Sequence, residues 1–194
     1  MTEPVRCWPT SDPLYLAYHD EEWGRPVRDE PRLLERLCLE GFQSGLSWLT
    51  ILRKREHFRA AFCAFDPERV ARFGDDDVER LMGDAGIVRN RAKIEATIAN
   101  ARATVDLRDA GTPLDDLVWS HRPKPRRAAK RLGDLPAQTP EAVALAKALK
   151  RAGFRFVGPT TVYAAMQACG LVNDHIASCP VRARAEAAQV AIAR

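Results

Sequence analysis

At 194 residues, 46% of them hydrophobic, the chain suits one large domain or two small ones with a real core. It has no apolar run of the ~18 residues a membrane span needs, no signal-peptide pattern at its start, and five cysteines without disulfide-scaffold spacing, so a soluble cytoplasmic protein is expected. A net charge of +4 permits a nucleic-acid partner without demanding one.

Residues 12–24 read Asp-Pro-Leu-Tyr-Leu-Ala-Tyr-His-Asp-Glu-Glu-Trp-Gly, with three aromatic rings, one histidine and four acidic side chains. Neither strand nor helix periodicity is present, which predicts an ordered loop, and loops this dense in rings and charge carry binding chemistry. Asp29 with Pro31 starts a helix that puts Leu33, Leu34 and Leu37 on one face. A second helix is predicted from Leu46 to Phe62, with Leu49, Leu52 and Phe58 inward and Arg53, Lys54, Arg55 and Arg59 outside. Asp66-Pro67 caps a short helix, and the acidic run at 75–77 starts another that carries Val78 and Leu81. Ile94, Ile98 and Val105 mark a helix beginning near Arg89, and a turn follows at 114–119. Thr139-Pro140 opens a helix through Lys150 that Gly153 stops, and a last clear helix runs from Thr160 to Cys169 before Gly170. No alternating run survives as a strand, so the fold class is all-α. The Ala/Arg-rich tail from Val181 reads as a loose helix or a disordered segment, leaving residues 1–180 as a single domain.

Four features carry chemistry. Residues 122–131 hold six basic groups, two prolines and no acid, a loop signature that suits either a solvated linker or an arm that contacts phosphate. Cys7 and His19 lie near the start, and His175 and Cys179 stand four apart near the end. Two thiolates and two imidazoles make a closed tetrahedral zinc set, although each residue alone also suits a buried cysteine or a hydrogen-bonded histidine. The remaining cysteines, Cys38, Cys63 and Cys169, sit on apolar helix faces as core. Residues 154–161, Phe-Arg-Phe-Val-Gly-Pro-Thr-Thr, join two helices through a Gly-Pro turn whose helix N-terminus would offer N–H groups to phosphate, with Lys147, Lys150, Arg151 and Arg155 close upstream. Residues 39–48 place Glu40 and Trp48 around a Gly-x-x-x-Gly loop between two helices; Glu40 is either a surface helix end or, having the wrong sign for a helix C-terminus, a residue kept for another purpose.

Blocks at 12–24, 39–48, 84–93 (Asp-Ala-Gly-Ile-Val-Arg-Asn-Arg-Ala-Lys) and 153–175 stand in an order that resembles the 3-methyladenine DNA glycosylase I family, over residues 6 to about 179. The resemblance implies a helix-hairpin-helix DNA glycosylase fold with its two ends tied by one structural zinc at Cys7, His19, His175 and Cys179. It implies a monofunctional enzyme that flips 3-methyladenine out of double-stranded alkylated DNA; the oligomeric state is left open by the sequence, with a monomer as the default expectation. That enzyme hydrolyses the N-glycosidic bond, releases the free base and leaves an abasic site for base excision repair. Glu40 is then the catalytic carboxylate, Tyr15, Tyr18 and Trp48 line the base pocket, and Trp8 and Trp23 support its walls. Val157, Gly158 and Thr160 contact DNA, and Gln43 and Leu46 are candidates to fill the gap the flipped base leaves. The chain departs from the family pattern where Cys7 directly precedes Trp8, and where Phe42 replaces a glutamine of some relatives. Many helix-hairpin-helix glycosylases use an aspartate beyond the hairpin; Asp174 lies in that direction, with a helix cap or a partner of His175 as its other possible role.

Overall fold

Side-chain caps start most of the helices. The structure, a computed structural model, describes residues 5–192, and among these the regular elements are all helical. In α1 (Pro13–Glu21), the Asp12 carboxylate accepts from the N–H groups of Leu14 and Tyr15 and Pro13 takes the first helical position. This corrects the loop expected over 12–24. The rings of α1 serve a cavity, so the helix has no apolar stripe and only Tyr18 and His19 are buried. Periodicity was blind to it, and only the Asp-Pro cap signalled it.

Helix α2 (Glu30–Gln43) starts at the Asp29 cap and lies at the centre of the fold, against α3 (Trp48–Ala61), α4 (Pro67–Ala71), α6 (Arg91–Asp109), α7 (Leu114–Trp119) and α9 (Pro159–Ala168). It continues through Glu40, Gly41 and Phe42, so the loop expected around Glu40 shrinks to residues 44–47. Position 41 carries a glycine within the helix because the chain passes close by: a Cβ there would stand 3.3 Å from the Phe156 Cβ. Gly45, at φ +84°, makes the turn that follows. Lys93 supplies the cation that the end of α2 requires, donating to the carbonyls of Phe42 (2.9 Å) and Ser44 (2.6 Å).

Helix α3 begins two residues later than expected, at Trp48, because the Ser47 hydroxyl accepts from the Thr50 N–H. Leu52 and Phe58 are buried as expected, joined by Trp48 and Ile51, whereas Leu49 is only half-buried. Arg55 and Arg59 are not on the outer face. Arg55 donates to Glu22 at 2.7 and 2.8 Å and Arg59 to Glu35 at 2.8 Å, and Arg36 reaches the same Glu22 at 2.6 Å. Phe42, Phe58, Phe62 and Phe65 continue the core as consecutive ring contacts at 4.6, 6.3 and 5.5 Å.

Helix α5 (Asp75–Gly83) packs on α6, and α8 (Pro140–Arg151) packs on α9 across the connection at 152–158. Asn100 of α6 clamps that connection, accepting from the Arg155 N–H at 2.7 Å and donating to the Arg155 carbonyl at 3.2 Å. The tail forms α10 (Arg182–Ala191), which docks with Ala185 and Gln189 buried. The Gln189 amide donates to the carbonyls of Gly24 and Val172, each at 3.0 Å. Cys38 and Cys169 are core residues as expected, and Cys63 is half-buried.

Candidate active site

Where α1, the end of α2 and the start of α3 meet α9, a cavity of about 230 Å³ opens. Trp8, Tyr15, Tyr18, Trp23, Glu40 and Trp48 all line it, together with Gln43. The sequence singled out each of these residues. Leu132, Leu135, Ala164 and Gln167 complete the lining and were missed. The two leucines directly follow the basic stretch, and an apolar pair interrupting a polar connection was the available signal.

Trp8 is the hub of the rings. It stacks on Tyr15 at 4.8 Å and lies nearly parallel to Tyr18 at 6.1 Å, while Tyr18 meets Trp48 at 5.2 Å. Glu40 is 7% exposed. Burial pushes its carboxyl up to about 8, with the Arg36 guanidinium pulling back against that rise. Burial also raises the Tyr15 hydroxyl, with the Glu40 charge adding to the effect. The Trp48 Nε1–H is buried with no hydrogen-bond partner among the described residues, an orphan that costs about 1–3 kcal/mol. An acidic group and several π faces thus converge on one cavity, and one of its lining rings, Trp48, keeps an unused donor buried in the wall.

Behind the rings lies the Cys/His cluster. One ligand atom from each of Cys7, His19, His175 and Cys179 falls within 4.8 Å of the others, and all four residues are buried. The Cys7 sulfur is 3.6 Å from His175 Nδ1, and the Cys179 sulfur is 3.4 Å from the same nitrogen and 3.7 Å from His19 Nε2. A tetrahedral ion with the usual zinc–sulfur and zinc–nitrogen bonds has sulfur–nitrogen edges of about 3.6 Å. The outer ring nitrogens are oriented by the Asp20 carboxylate (2.6 Å from His19 Nδ1) and the Trp23 carbonyl (3.1 Å from His175 Nε2). Burial pushes the Cys7 thiol up to about 12 and the His175 imidazole down to about 4. Trp8 stands edge-on to His19 at 4.9 Å and Trp23 to His175 at 4.7 Å, so the cluster backs the cavity wall directly.

Comparison with known proteins places these residues in one family. A family model described as methyladenine glycosylase matches residues 8–183. DNA-3-methyladenine glycosylase 1 of Escherichia coli is 53% identical over 178 residues, covering 90% of this chain and 95% of that protein. The DNA-3-methyladenine glycosylase of Haemophilus influenzae is 44% identical and covers 92% of this chain and 98% of its own length. A crystal structure of a 3-methyladenine DNA glycosylase I superposes with a TM-score of 0.88 at 52% identity, over 91% of this chain and 98% of that one. The chain belongs to the methyladenine glycosylase family. The matched range of the methyladenine glycosylase model takes in the cavity residues and three of the four cluster residues; Cys7 falls just before it and most of α10 beyond it.

For a methyladenine glycosylase, the surface around the cavity mouth matters next. Leu46 is 42% exposed in the loop after α2, and Gln43 is half-buried and lines the cavity. Gly158 caps α9, Thr160 is exposed in its first turn, and Lys147, Lys150, Arg151 and Arg155 are all exposed nearby. Val157 is 1% exposed, so its side chain belongs to the core and the DNA contact expected at this position falls to its backbone. Phe156, exposed at 42% with φ +55°, stands at the tip instead and was not singled out. The basic stretch is partly structural. Arg122 lies over the Trp119 ring at 5.5 Å, and Arg126 donates to Asp174 at 2.7 Å. Asp174 neither caps a helix nor reaches His175. It is buried, and Arg126, Tyr163 and Gln167 occupy its oxygens, so it does not face the cavity as a catalytic carboxylate.

Proposed function

We propose that this chain flips 3-methyladenine out of alkylated DNA into the cavity at Glu40 and hydrolyses its bond to the sugar. The observation that carries the proposal is a single carboxylate buried among aromatic faces. A buried acid that lacks a close cationic partner is costly; a ligand that is itself cationic supplies the missing partner. Methylation at N3 makes adenine in DNA such a cation. Glu40 loses its proton to solvent when the base enters and accepts a charge-assisted hydrogen bond worth about 1.5–3 kcal/mol. Each well-placed ring adds about 0.5–2 kcal/mol of cation–π attraction. The sum is roughly 2–5 kcal/mol, one to three decades of preference over neutral adenine.

The chemistry asks little more of the protein. As the bond from C1′ to the base lengthens, its electron pair stays with the base, which leaves neutral. Positive charge moves to the sugar, water adds its oxygen to C1′, and one proton goes to solvent. An abasic site remains, and no lysine needs to form a covalent bond with it. A damaged base also costs less to unstack and unpair, which adds selectivity before the cavity is reached.

We further assign Cys7, His19, His175 and Cys179 to one structural zinc. The support is the set of sulfur–nitrogen spacings and the oriented outer nitrogens. The ion would tie the two ends of the chain together and hold α1 against the cavity. Structural zinc offers about 10–16 kcal/mol of apparent binding energy in small peptides, well above the roughly 4–5 kcal/mol of closing so long a loop. A set with four protein ligands leaves no open position for zinc hydrolase chemistry. The connection between α8 and α9, with its exposed cations, supports a helix-hairpin-helix contact to the phosphates of double-stranded DNA; among the described residues no helix is long and apolar enough to cross a membrane. A non-enzymatic DNA-binding module would leave Glu40 buried without purpose. Incubation with methylated duplex DNA separates the two: release of free 3-methyladenine supports the proposal, and binding without release refutes it.

A further inference from the structure

Gln167 lines the cavity, and its amide is not free to turn. Its Nε2 donates to Asp174 Oδ2 at 2.8 Å. The same oxygen accepts from the Tyr163 hydroxyl at 2.5 Å, and Oδ1 accepts from Arg126 at 2.7 Å. Tyr163 and Gln167 stand four apart on α9, so both reach Asp174 from one side of the helix. The Asp174 side chain is 1% exposed and ion-paired, and an ionised carboxylate only accepts hydrogen bonds. It therefore meets the NH2 end of the amide, and Oε1 is the end left to the cavity.

The polar groups around the cavity then have a definite pattern. Glu40 and Gln167 Oε1 offer acceptors, while the unpaired Trp48 Nε1 donor is itself shut off from solvent. On an N3-methylated adenine in DNA, the only N–H donors of the base are the two hydrogens of the 6-amino group. A 6-oxo purine presents an acceptor at that position. We propose that Gln167, held by Asp174, accepts a hydrogen bond from the 6-amino group of the flipped base and sets the preference for 6-amino over 6-oxo methylated purines. A 6-oxo base would face an acceptor that cannot rotate away, leaving two buried acceptors unpaired against each other. Gln167 is the residue that touches the base. Asp174 is a positioning residue, and Arg126 and Tyr163 hold it in place.

The inference rests on the assignment of this cavity as the base site, and the test separates the two. Binding of free 3-methyladenine and of 3-methylhypoxanthine, which exchanges the 6-amino for a 6-oxo group, is followed by tryptophan fluorescence. Wild type should prefer 3-methyladenine. Gln167→Leu should lower that preference about tenfold, the scale of one hydrogen bond, chiefly by weakening 3-methyladenine. Asp174→Asn, which can accept the amide in either orientation, should lower the preference by a similar factor, and the double variant should lower it no further. Where Asp174→Asn fails to fold, the ratio for Gln167→Leu decides. An unchanged ratio in Gln167→Leu, or an equal loss of affinity for both bases, overturns the role given to Gln167. Failure of wild type to bind 3-methyladenine at all overturns the base site itself.

Discussion

Replacing Glu40 with glutamine should make the protein more stable and less active at once, and the stability gain should depend on pH in a defined direction. The Glu40 carboxyl is raised from 4.5 to about 8 by burial. Between those values the folded state holds a proton that the unfolded chain releases, so stability falls as pH rises through that window and the full cost is present above pH 8. At about 1.4 kcal/mol per unit, the shift corresponds to roughly 5 kcal/mol, and relaxation around the charge reduces what is measured to about 2–5 kcal/mol. Glutamine is a neutral isostere, so Glu40→Gln should match wild type near pH 4 and exceed it increasingly up to about pH 8. Urea unfolding of both proteins at several pH values measures the difference, in which the buried histidines common to both cancel. Excision of 3-methyladenine by the same variant should fall by one to two decades, the loss of a charge-assisted hydrogen bond of about 1.5–3 kcal/mol. A stability difference that stays flat from pH 5 to pH 8.5 would refute the account of Glu40 as a carboxyl held neutral until the base arrives.

Three other outcomes are expected. In wild type, log kcat/KM for base release should rise with pH with a slope near one and level off above pH 8, as ionised Glu40 becomes available in the free enzyme; a profile flat from pH 6 to pH 8 counts against it. Cys179→Ser should remove bound zinc as measured by metal analysis and lower Tm, and the tryptophan emission should shift because Trp8 and Trp23 rest on His19 and His175; full retention of metal with an unchanged spectrum contradicts the assignment. Asn100→Ala removes both hydrogen bonds to the Arg155 backbone and should weaken DNA binding by about 1–3 kcal/mol while leaving free-base binding intact, checked by paired DNA and base titrations.

Much of the site was legible because its residues are chemically expensive where they stand. Rings without periodicity at Tyr15, Tyr18 and Trp23, and an acid near a helix end at Glu40, are choices a scaffold does not need, and all four face one cavity. The same property hid the helix beneath the rings: α1 has no apolar stripe because its apolar surface belongs to the site, and only the Asp12-Pro13 cap betrays it. Arg55 and Arg59 misled for a related reason. Charge on a helix reads as solvent-facing, yet both pair with glutamates from other elements that local sequence cannot see.

The residue sequence alone determined the helical class, most helix starts through their Asp, Asn, Ser and Thr caps, and the kinds of side chain the site would use. These are local matters, settled by hydrogen bonds within a turn or by what a side chain costs when buried. Which residues meet was decided by the tertiary structure. Cys7 and His19 reach His175 and Cys179 only because α10 and the core bring the ends together, and Leu132 and Leu135 become cavity wall only once the basic segment folds back. Asp174 shows the difference most directly. Its sequence position left catalysis, a helix cap and a partnership with His175 all open, whereas Arg126 from the basic segment and Tyr163 and Gln167 from α9 occupy its oxygens and leave it to orient Gln167.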